Sequence, residues 1–357
     1  MTGLSLLLTP KRILVVRYRF IGDTILTVPF LRHLRKAYPN AVIDVLVGPE
    51  SGQVLANCPY INELITFDTT RFHKYDSGKG KARSFFSYVF ELRKRRYDTV
   101  FLLKRSFSSA LLAFLIGARQ RIGYNTEGRR CLLTLPVVWD TARHEVQSTL
   151  DVLRAAGLRA DDDYLEAWPS APEKAEVLAR VPALFGKKRP LIVFHAAAAH
   201  GDKLYPLESW AVVIKEMVKR TGALALFTGS AQDIPIYEEL GRLAGVDAEI
   251  VAGKLDLRQT MALLSMVDLA VCTDSGPAHL AAAAGIPVVT LFGPTDPARW
   301  APTGAKSIAL FDATLECRPC NYNKTCQNRP CLTALDPLLI VNTAMNLLPL
   351  NFAATFQ

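Results

Sequence analysis

Short apolar runs alternate with amphipathic segments along this chain, in two separate series. The β-branched runs are typical of buried parallel strands, and the segments with apolar residues every three or four positions are typical of helices. The first series predicts strands over 12–16, 42–47, 64–67 and 99–103, with a helix over 24–36. The second predicts strands over 191–194, 224–227, 269–272 and 288–292, with helices over 207–219, 234–243, 257–266 and 277–284. Repeated strand-then-helix order predicts an α/β fold with parallel sheets.

A stretch rich in proline and aspartate, 157–190, separates the two series. Such composition is typical of an interdomain connection, and 357 residues suit two domains better than one. We therefore predict a first Rossmann-like domain over 1–165, a linker over 166–190 and a second Rossmann-like domain over 191–335. The remaining residues, 336–357, are expected to form a C-terminal helix that packs back on the first domain.

The charge and hydropathy of the chain narrow the class of partner. The formal net charge of +9 favours anionic partners such as phosphorylated small molecules, anionic glycolipids or nucleic acid. The longest apolar runs, such as 110–118, are too short to span a membrane. The basic pair at 11–12 follows the apolar N-terminal stretch, which is the wrong order for a signal peptide. We therefore expect a cytoplasmic protein whose seven cysteines are mostly reduced.

The segment 271–300 carries the densest set of candidate site residues, because a small, polar turn follows a buried strand and opens a helix. Unpaired N–H groups and the positive dipole end of a helix start bind phosphate, and small residues there let a diphosphate approach. A carboxylate beside such a helix start can accept hydrogen bonds from the hydroxyl groups of a sugar. The alternative is a capped turn without a ligand, but a second turn at 293–297 favours a site. The residues concerned are Asp274, Ser275, Gly276, Pro277 and His279.

This segment resembles the donor-binding signature of glycosyltransferase family 9, the ADP-heptose:lipopolysaccharide heptosyltransferases. The stretch 13–31 resembles the opening motif of the same family, and 195–210 resembles a third motif through His195, Lys203 and Trp210. The resemblance covers nearly the whole chain. It implies a GT-B fold, in which two Rossmann-like domains face a central cleft, with the acceptor mainly on the first domain and the donor mainly on the second.

The resemblance also implies the reaction and its base. It implies an inverting transferase that moves a heptose or related sugar from an ADP-sugar to the lipopolysaccharide inner core or a similar anionic glycolipid. Asp23 falls at the family's catalytic aspartate, and the preceding Gly22 is expected to contact the donor; from the residues alone, helix N-capping by Asp23 is equally open. Two alternatives remain, a nucleotide-sugar-binding protein without turnover and a family member with a different donor sugar. No nucleic-acid-binding signature is recognisable.

Further donor contacts are expected on the second domain. Lys203 is a candidate for stabilising the leaving diphosphate, against the alternative of a solvated loop lysine. The resemblance implies that Asp233 holds the ribose, with N-capping as the alternative, and that Leu255 lines the base pocket. The chain departs from the family at the four alanines 196–199, where other members carry hydroxyl residues, so backbone N–H groups must serve there. We expect no cofactor and no metal, and interpret the aspartates 161–163 as a solvated acidic turn.

A basic, aromatic segment over 71–105 predicts a partner surface. We expect it to meet an anionic glycolipid acceptor and to hold the protein peripherally on the inner face of the inner membrane. The alternative is a solvated basic helix that packs its aromatic side chains on the core.

The cysteines fall into two groups. One group lies within fifteen residues and is open to two interpretations, a zinc or iron–sulfur site and free thiols: Cys317, Cys320, Cys326 and Cys331. The nearby cations are expected to lower the pKa values of these thiols. The other three, Cys58, Cys131 and Cys272, are expected to be small core residues.

Overall fold

The computed structural model describes residues 9–18, 20–68, 83–184, 189–322, 326 and 328–348. The chain divides into two compact units, Met1–Asp163 and Tyr164–Gln357. Each unit contains a six-stranded sheet in which every neighbouring pair of strands is parallel. The predicted α/β class, with two Rossmann-like domains of the GT-B kind, is confirmed.

The first unit has the strand order β3-β2-β1-β4-β5-β6. Its strands are β1 Arg12–Val16, β2 Val42–Val47, β3 Glu63–Thr66, β4 Thr99–Leu102, β5 Gln120–Tyr124 and β6 Leu135–Val137. Its helices are α1 Ile21–Ile25, α2 Val28–Ala37, α3 Phe85–Lys94, α4 Phe107–Leu115 and α5 Glu145–Ala155. The strand order reverses between β1 and β4, which is where an open parallel sheet binds its ligand.

The second unit repeats this order as β12-β11-β10-β7-β8-β9, with the reversal between β7 and β10. Its strands are β7 Leu191–His195, β8 Leu224–Phe227, β9 Ala248–Ile250, β10 Leu269–Thr273, β11 Val288–Leu291 and β12 Ser307–Leu310. Its helices are α6 Ala171–Arg180, α7 Leu207–Thr221, α8 Ile234–Ala244, α9 Leu257–Leu264, α10 Gly276–Ala283, α11 Pro297–Trp300, α12 Pro330–Thr333 and α13 Pro337–Leu347. None of the described helices is long and apolar enough to cross a membrane.

Burial explains which strands the sequence pattern predicted. The central strands β7, β8, β10 and β11 are buried along their whole length, because helices cover both faces of a parallel sheet. The edge strands β9 and β12 are only partly buried. Short, mixed runs such as these carry little hydrophobic signal, and they were not predicted.

The N-terminal helix differs from its prediction. The single helix expected over 24–36 is two helices, α1 and α2, which break at Leu26–Thr27 because Pro29 lies in the first turn of α2 and cannot donate to a preceding carbonyl. Asp23 therefore lies inside the first turn of α1, and Phe20 occupies the N-cap position. The N-cap alternative for Asp23 is wrong.

The regions expected to lie between and after the domains pack within the second unit. Helix α6, inside the predicted linker, packs against α9, and Glu173 Oε1 lies 2.7 Å from Arg258 Nε. Helix α13 packs against α7 through Ile340 and Val341, which are fully buried. The apolar face of Pro337–Leu347 completes the core of the second unit, and the expectation that the C-terminal helix also packs on the first domain stays a prediction.

Candidate functional site

In the first unit, the loops after β1 and β4 line a cavity of about 220 Å³ at the point where the strand order reverses. The predicted pair Gly22 and Asp23 belongs to this region, since both lie in the first turn of α1, directly after the β1 loop. The cavity is lined by Arg17, Tyr18, Phe20, Asp23, Leu103, Lys104, Arg105, Ser106 and Glu127.

Asp23 is held by a buried arginine that the sequence reasoning missed. Arg17 Nη2 lies 3.4 Å from Asp23 Oδ1 and 2.9 Å from Glu145 Oε1, and its Nε donates to the Asp23 carbonyl at 3.2 Å. Burial alone would lower the pKa of Arg17, but the two carboxylates outweigh it and raise the pKa. Arg17 thus stays a cation that fixes the orientation of the Asp23 carboxylate. Its position directly after β1 was the available signal.

Two more cations border the same cavity. The Lys104 ammonium lies 3.8 Å from the centre of the Tyr18 ring. The Arg105 guanidinium lies 4.3 Å from the centre of the Trp139 ring, and its Nη1 lies 3.1 Å from Glu145 Oε2. Glu145 is fully buried, and the Arg17 and Arg105 cations keep its pKa low against the opposing effect of burial, which is the largest single influence on it. The cavity is therefore a polar, charge-paired site suited to an anionic ligand.

In the second unit, α10 begins without a side-chain cap. Ser275 occupies the N-cap position, but its hydroxyl donates to the Thr273 carbonyl at 3.1 Å and accepts no bond from the helix. Gly276 and Pro277 fill the first two positions of the helix. The alternative of a side-chain-capped turn is therefore wrong, and the start of α10 retains the features of an anion site.

Lys203 and Asp274 meet at this helix start. Lys203 Nζ lies 2.7 Å from Asp274 Oδ2 and donates to the Asp274 carbonyl at 3.1 Å. Thr295, from the turn after β11, also donates to Asp274 Oδ2. The Asp274 side chain is only 6 % exposed, so the alternative of a solvated loop lysine is wrong. The pairing also differs from the separate roles expected of the two residues, phosphate for the lysine and sugar hydroxyls for the carboxylate.

The two candidate histidines of the second unit are buried. His195 ends β7, and its Nδ1 lies 2.7 Å from the Thr228 carbonyl oxygen. Burial lowers its pKa, partly offset by that contact. His279 lies on α10 and is 5 % exposed, so it belongs to the packed side of the helix.

The remaining predicted donor contacts lie on neighbouring turns. Asp233 Oδ2 accepts from the Ser230 backbone N–H at 2.7 Å and from the Ser230 hydroxyl at 2.8 Å, which fixes the turn after β8. The residue is also the N-cap of α8, without a capping bond from its side chain. Leu255 lies half-buried in the turn before α9. Both follow carboxyl ends of strands, where the donor was expected.

The cysteine-rich segment lies next to the Lys203 turn. Arg329 Nη1 donates to the carbonyls of Gly201 and Leu204, at 2.6 and 3.1 Å. The four clustered cysteines line a cavity of about 140 Å³. Within the described residues, no group of three or more His, Cys, Asp or Glu side chains is arranged to hold a metal ion.

Two of the predictions for the cysteines are wrong, one on a thiol pKa and one on burial. Burial raises the pKa of Cys331, against the lowering expected from nearby cations, because Arg318 only partly offsets burial. Cys58 and Cys272 are buried as expected, but Cys131 is exposed because it lies in a surface turn at Arg129–Leu132.

The structure describes the basic segment from residue 83 onward, which includes helix α3 and the residues after it. Residues 71–82 lie outside the described residues. Tyr88 and Leu92 are buried, whereas Phe86 and Phe90 are 64 % and 68 % exposed. Arg93 and Lys94 are also exposed. The helix thus packs one face on the core, as its alternative interpretation held, and leaves two phenylalanines outward. We call Phe86, Phe90, Arg93 and Lys94 the α3 surface.

The aspartate run 161–163 is tied to the first unit. Asp162 pairs with Arg32 and lies 3.4 Å from His33 Nε2, and Asp163 accepts from Gln147 Nε2 at 2.9 Å. The Asp162 side chain remains 45 % exposed. This is an acidic surface turn, and it is anchored by side chains as well as solvated.

A family model, related sequences and solved structures all match this chain to the same family. The model for glycosyltransferase family 9 (heptosyltransferase) matches residues 86–331. Lipopolysaccharide heptosyltransferase 3 of Escherichia coli K12 is 27% identical over 342 residues, covering 93% of this chain and 96% of that protein. A family 9 glycosyltransferase of Veillonella parvula superimposes with a TM-score of 0.81 at 24% identity, covering 94% and 97% of the two chains. The E. coli ADP-heptose lipopolysaccharide heptosyltransferase II gives 0.76 at 24% identity, covering 94% and 98%.

The matched span includes more than half of the chain and both candidate regions of the second unit. This chain belongs to glycosyltransferase family 9, the heptosyltransferase family, and is a glycosyltransferase.

Proposed function

We propose that this enzyme transfers a heptose from ADP-heptose to the inner core of lipopolysaccharide, with inversion at the sugar carbon and without a metal. The uncapped start of α10, with Lys203 beside it, is the observation that carries the proposal. A nucleoside diphosphate is the ligand whose charge fits that helix start. The relatives' names, lipopolysaccharide heptosyltransferase 3 and ADP-heptose lipopolysaccharide heptosyltransferase II, support the sugar and the acceptor.

The donor half of the mechanism is electrostatic. As the bond to C1 breaks, negative charge develops on the diphosphate, and donors already in place lower the energy of that state. The Gly276 N–H, together with the helix dipole, supplies fixed positive charge, whereas Pro277 has no N–H and the Ala278 N–H donates to the Ser275 carbonyl. The Lys203 ammonium is a hydrogen-bond donor, but the Asp274 carboxylate balances most of its charge. More of the stabilisation therefore falls on the helix start than on the lysine.

The acceptor half of the mechanism centres on Asp23. Its carboxylate takes the proton of the acceptor hydroxyl as that oxygen attacks C1 from the face opposite the leaving group, which inverts the anomeric configuration. Arg17 holds the carboxylate in one orientation. Lys104 and Arg105, on the same cavity, suit the phosphate or carboxylate groups of an inner-core glycolipid.

The other contacts complete a donor site on the second unit. We propose that Asp233 holds the ribose hydroxyls through Oδ1, since Oδ2 is engaged by Ser230. Leu255 lines the adenine pocket. His279 supports α10 from its buried side, so that the helix start keeps its position when the diphosphate binds.

The α3 surface supports a peripheral position on the cytoplasmic face of the inner membrane. Phe86 and Phe90 lie one turn apart on the same side of α3, and Arg93 and Lys94 follow in its last turn. Exposed aromatic side chains next to cations bind a bilayer that contains anionic lipids, by insertion and by charge attraction together. Such a position would bring the enzyme to a membrane-borne acceptor.

A nucleotide-sugar panel tests the donor assignment. The purified protein is heated with ADP-heptose, ADP-glucose, UDP-glucose or UDP-N-acetylglucosamine, and the unfolding temperature is measured. We expect stabilisation by both ADP-sugars, the larger by ADP-heptose, because ligands that bind only the folded state raise its stability. Stabilisation by UDP-sugars alone would overturn the donor assignment. The alternative of binding without turnover predicts the same shifts with no product in a transfer assay.

Inversion and metal independence are tested on the product. Transfer to truncated lipopolysaccharide is run with excess EDTA, and the anomeric configuration of the new linkage is read by NMR. We expect unchanged turnover and a configuration opposite to that of the donor. Loss of turnover that added Mg²⁺ restores, or a retained configuration, would contradict the mechanism.

A further inference from the structure

The loop that carries Cys317 and Tyr322 contacts the turn after β11 and the turn after β7. Arg318 Nε donates to the Gly293 carbonyl at 2.6 Å, and the Asn321 N–H donates to the Pro294 carbonyl at 2.9 Å. These bonds fasten the loop to the turn after β11. The same turn supplies Thr295, which donates to Asp274. The loop is thus connected to the Lys203–Asp274 pair through the turn after β11.

Tyr322 is the residue of this loop that reaches the pair. Its ring lies on the His200 imidazole, with the ring centres 4.1 Å apart and the planes tilted by 33°. It remains 36 % exposed. Burial raises the pKa of its phenol, and Lys203 opposes that rise by its charge and as a hydrogen-bond partner. Tyr322 therefore packs on His200 of the turn that carries Lys203, whose Nζ reaches Asp274 beside the N-cap of α10.

A hydroxyl at this place matters because residues 196–199, in the turn that carries His200, have none. The turn after β7 carries the four alanines 196–199, so only backbone N–H groups are offered there. A tyrosine hydroxyl is both a donor and an acceptor. When a lysine ammonium donates to its oxygen, its own proton is left for a third group, and hydrogen bonds to a charged phosphate oxygen are the stronger kind.

We infer that Tyr322 is a diphosphate-binding residue of this enzyme, whose phenol O–H donates to a phosphate oxygen of the bound nucleotide beside Lys203 and the start of α10. The inference rests on the proposed function, because it needs a nucleoside diphosphate at that helix start. It assigns to a C-terminal loop the hydroxyl contact that the turn after β7 cannot make.

The Tyr322→Phe variant tests the inference, because it keeps the ring on His200 and removes only the hydroxyl. Calorimetric titrations with ADP and with adenosine are compared for the wild type and the variant. We expect ADP to bind about tenfold more weakly to the variant, as for a lost hydrogen bond to a charged group. Adenosine, which has no phosphate, should bind both proteins equally. Tyr164→Phe, at a tyrosine 47 % exposed in the same unit, is the matched control and should bind ADP as the wild type does.

Unchanged ADP affinity in Tyr322→Phe would overturn the inference and leave the proposed function standing. Equal weakening for ADP and adenosine would also overturn it, since it would show a general change of the pocket. Wild-type protein that binds UDP in place of ADP would contradict the proposed donor alone. The Tyr322→Phe comparison would then be made with UDP and uridine, and the variant should bind UDP more weakly and uridine as the wild type does.

Discussion

Two ion pairs organise the candidate residues at the smallest scale. Arg17 with Asp23 joins neighbours in sequence, whereas Lys203 with Asp274 joins residues 71 positions apart. Removing one partner of a buried pair leaves an uncompensated charge, which costs about 3–5 kcal/mol when burial is complete and less for a partly exposed lysine. A single substitution at Lys203 or Asp274 therefore acts on folding and on donor binding together.

The sequence identified Asp23, Lys203 and Asp274 as candidate site residues, but it did not show which side chains form ion pairs. Lys203 and Asp274 were each assigned to the donor site, but their contact depends on β7 and β10 being neighbours in the sheet. Arg17 was missed because one arginine in a loop looks like any other surface cation. Its burial and its bond to Glu145, far along the chain, appear only in the folded unit.

His195 gives a prediction for the dependence of stability on pH. Its pKa is lowered in the folded state by burial, so the unfolded chain takes up a proton first as the pH falls below about 6.5. Because the unfolded state then binds more protons, stability falls as pH falls through this range, and the contribution is fully present above it. We expect the urea midpoint of His195→Gln to fall less than that of the wild type between about pH 7.5 and about pH 5.5.

Each protein serves as its own reference, since the midpoint at about pH 5.5 is compared with the midpoint of the same protein at about pH 7.5 and a pH-independent loss of stability cancels. If His195→Gln loses as much stability as the wild type over the same range, the buried imidazole is not a source of the acid sensitivity.

At the scale of elements, α10 is the helix on which donor binding depends. Its start lies at the strand-order reversal of the second sheet, and its N-cap serine bonds backward to Thr273. Its sequence predicted the position to within a residue, because a strand, a small polar turn and a proline follow in order. The absence of a capping bond at Ser275 could not be predicted, since serine is a common cap.

The Gly276→Val substitution tests this role. A branched side chain at the first position of α10 stands in front of the N–H groups that are expected to receive phosphate. We expect ADP to bind about tenfold to a hundredfold more weakly by calorimetry, since hydrogen bonds to a charged group contribute about 1.5–3 kcal/mol. Gly241→Val, where an added Cβ meets no atom within 4 Å, controls for valine in a helix. Equal ADP affinity in both variants would argue against the helix start as the phosphate site.

The α3 surface gives the second prediction at this scale. A variant with Phe86→Ser, Phe90→Ser and Lys94→Glu should sediment less with vesicles that contain phosphatidylglycerol, because both insertion and charge attraction are reduced. Phosphatidylcholine vesicles should bind the wild type only weakly. Lys215→Glu, at an exposed position on α7, is the matched charge control. Wild-type sedimentation of the α3 variant would contradict membrane binding through this surface.

At the scale of the whole molecule, two sheets with the same strand order each present polar side chains at their reversal. The strands with continuous apolar runs were predicted closely, and so was the edge strand β3. The strands β5, β6, β9 and β12 were not, because their short, mixed runs show little periodicity. The break between α1 and α2 follows from Pro29 within the segment itself, whereas the packing of α13 in the core of the second unit depends on neighbours that are distant in sequence. The proposed binding of the acceptor by the first unit and of the donor by the second would account for the two clusters of candidate residues along the chain.

The central claim is that Asp23, in the first unit, is the base for transfer of a sugar held at α10, in the second. The most direct measurement is mass spectrometry of truncated lipopolysaccharide after incubation with ADP-heptose and wild-type, Asp23→Asn or Asp161→Asn protein. We expect heptose addition by the wild type and by the exposed control Asp161→Asn. Asp23→Asn should transfer at least about a hundredfold more slowly, while its ADP affinity by calorimetry stays at the wild-type value. No heptose addition by the wild type, or transfer by Asp23→Asn at the wild-type rate, would contradict the account.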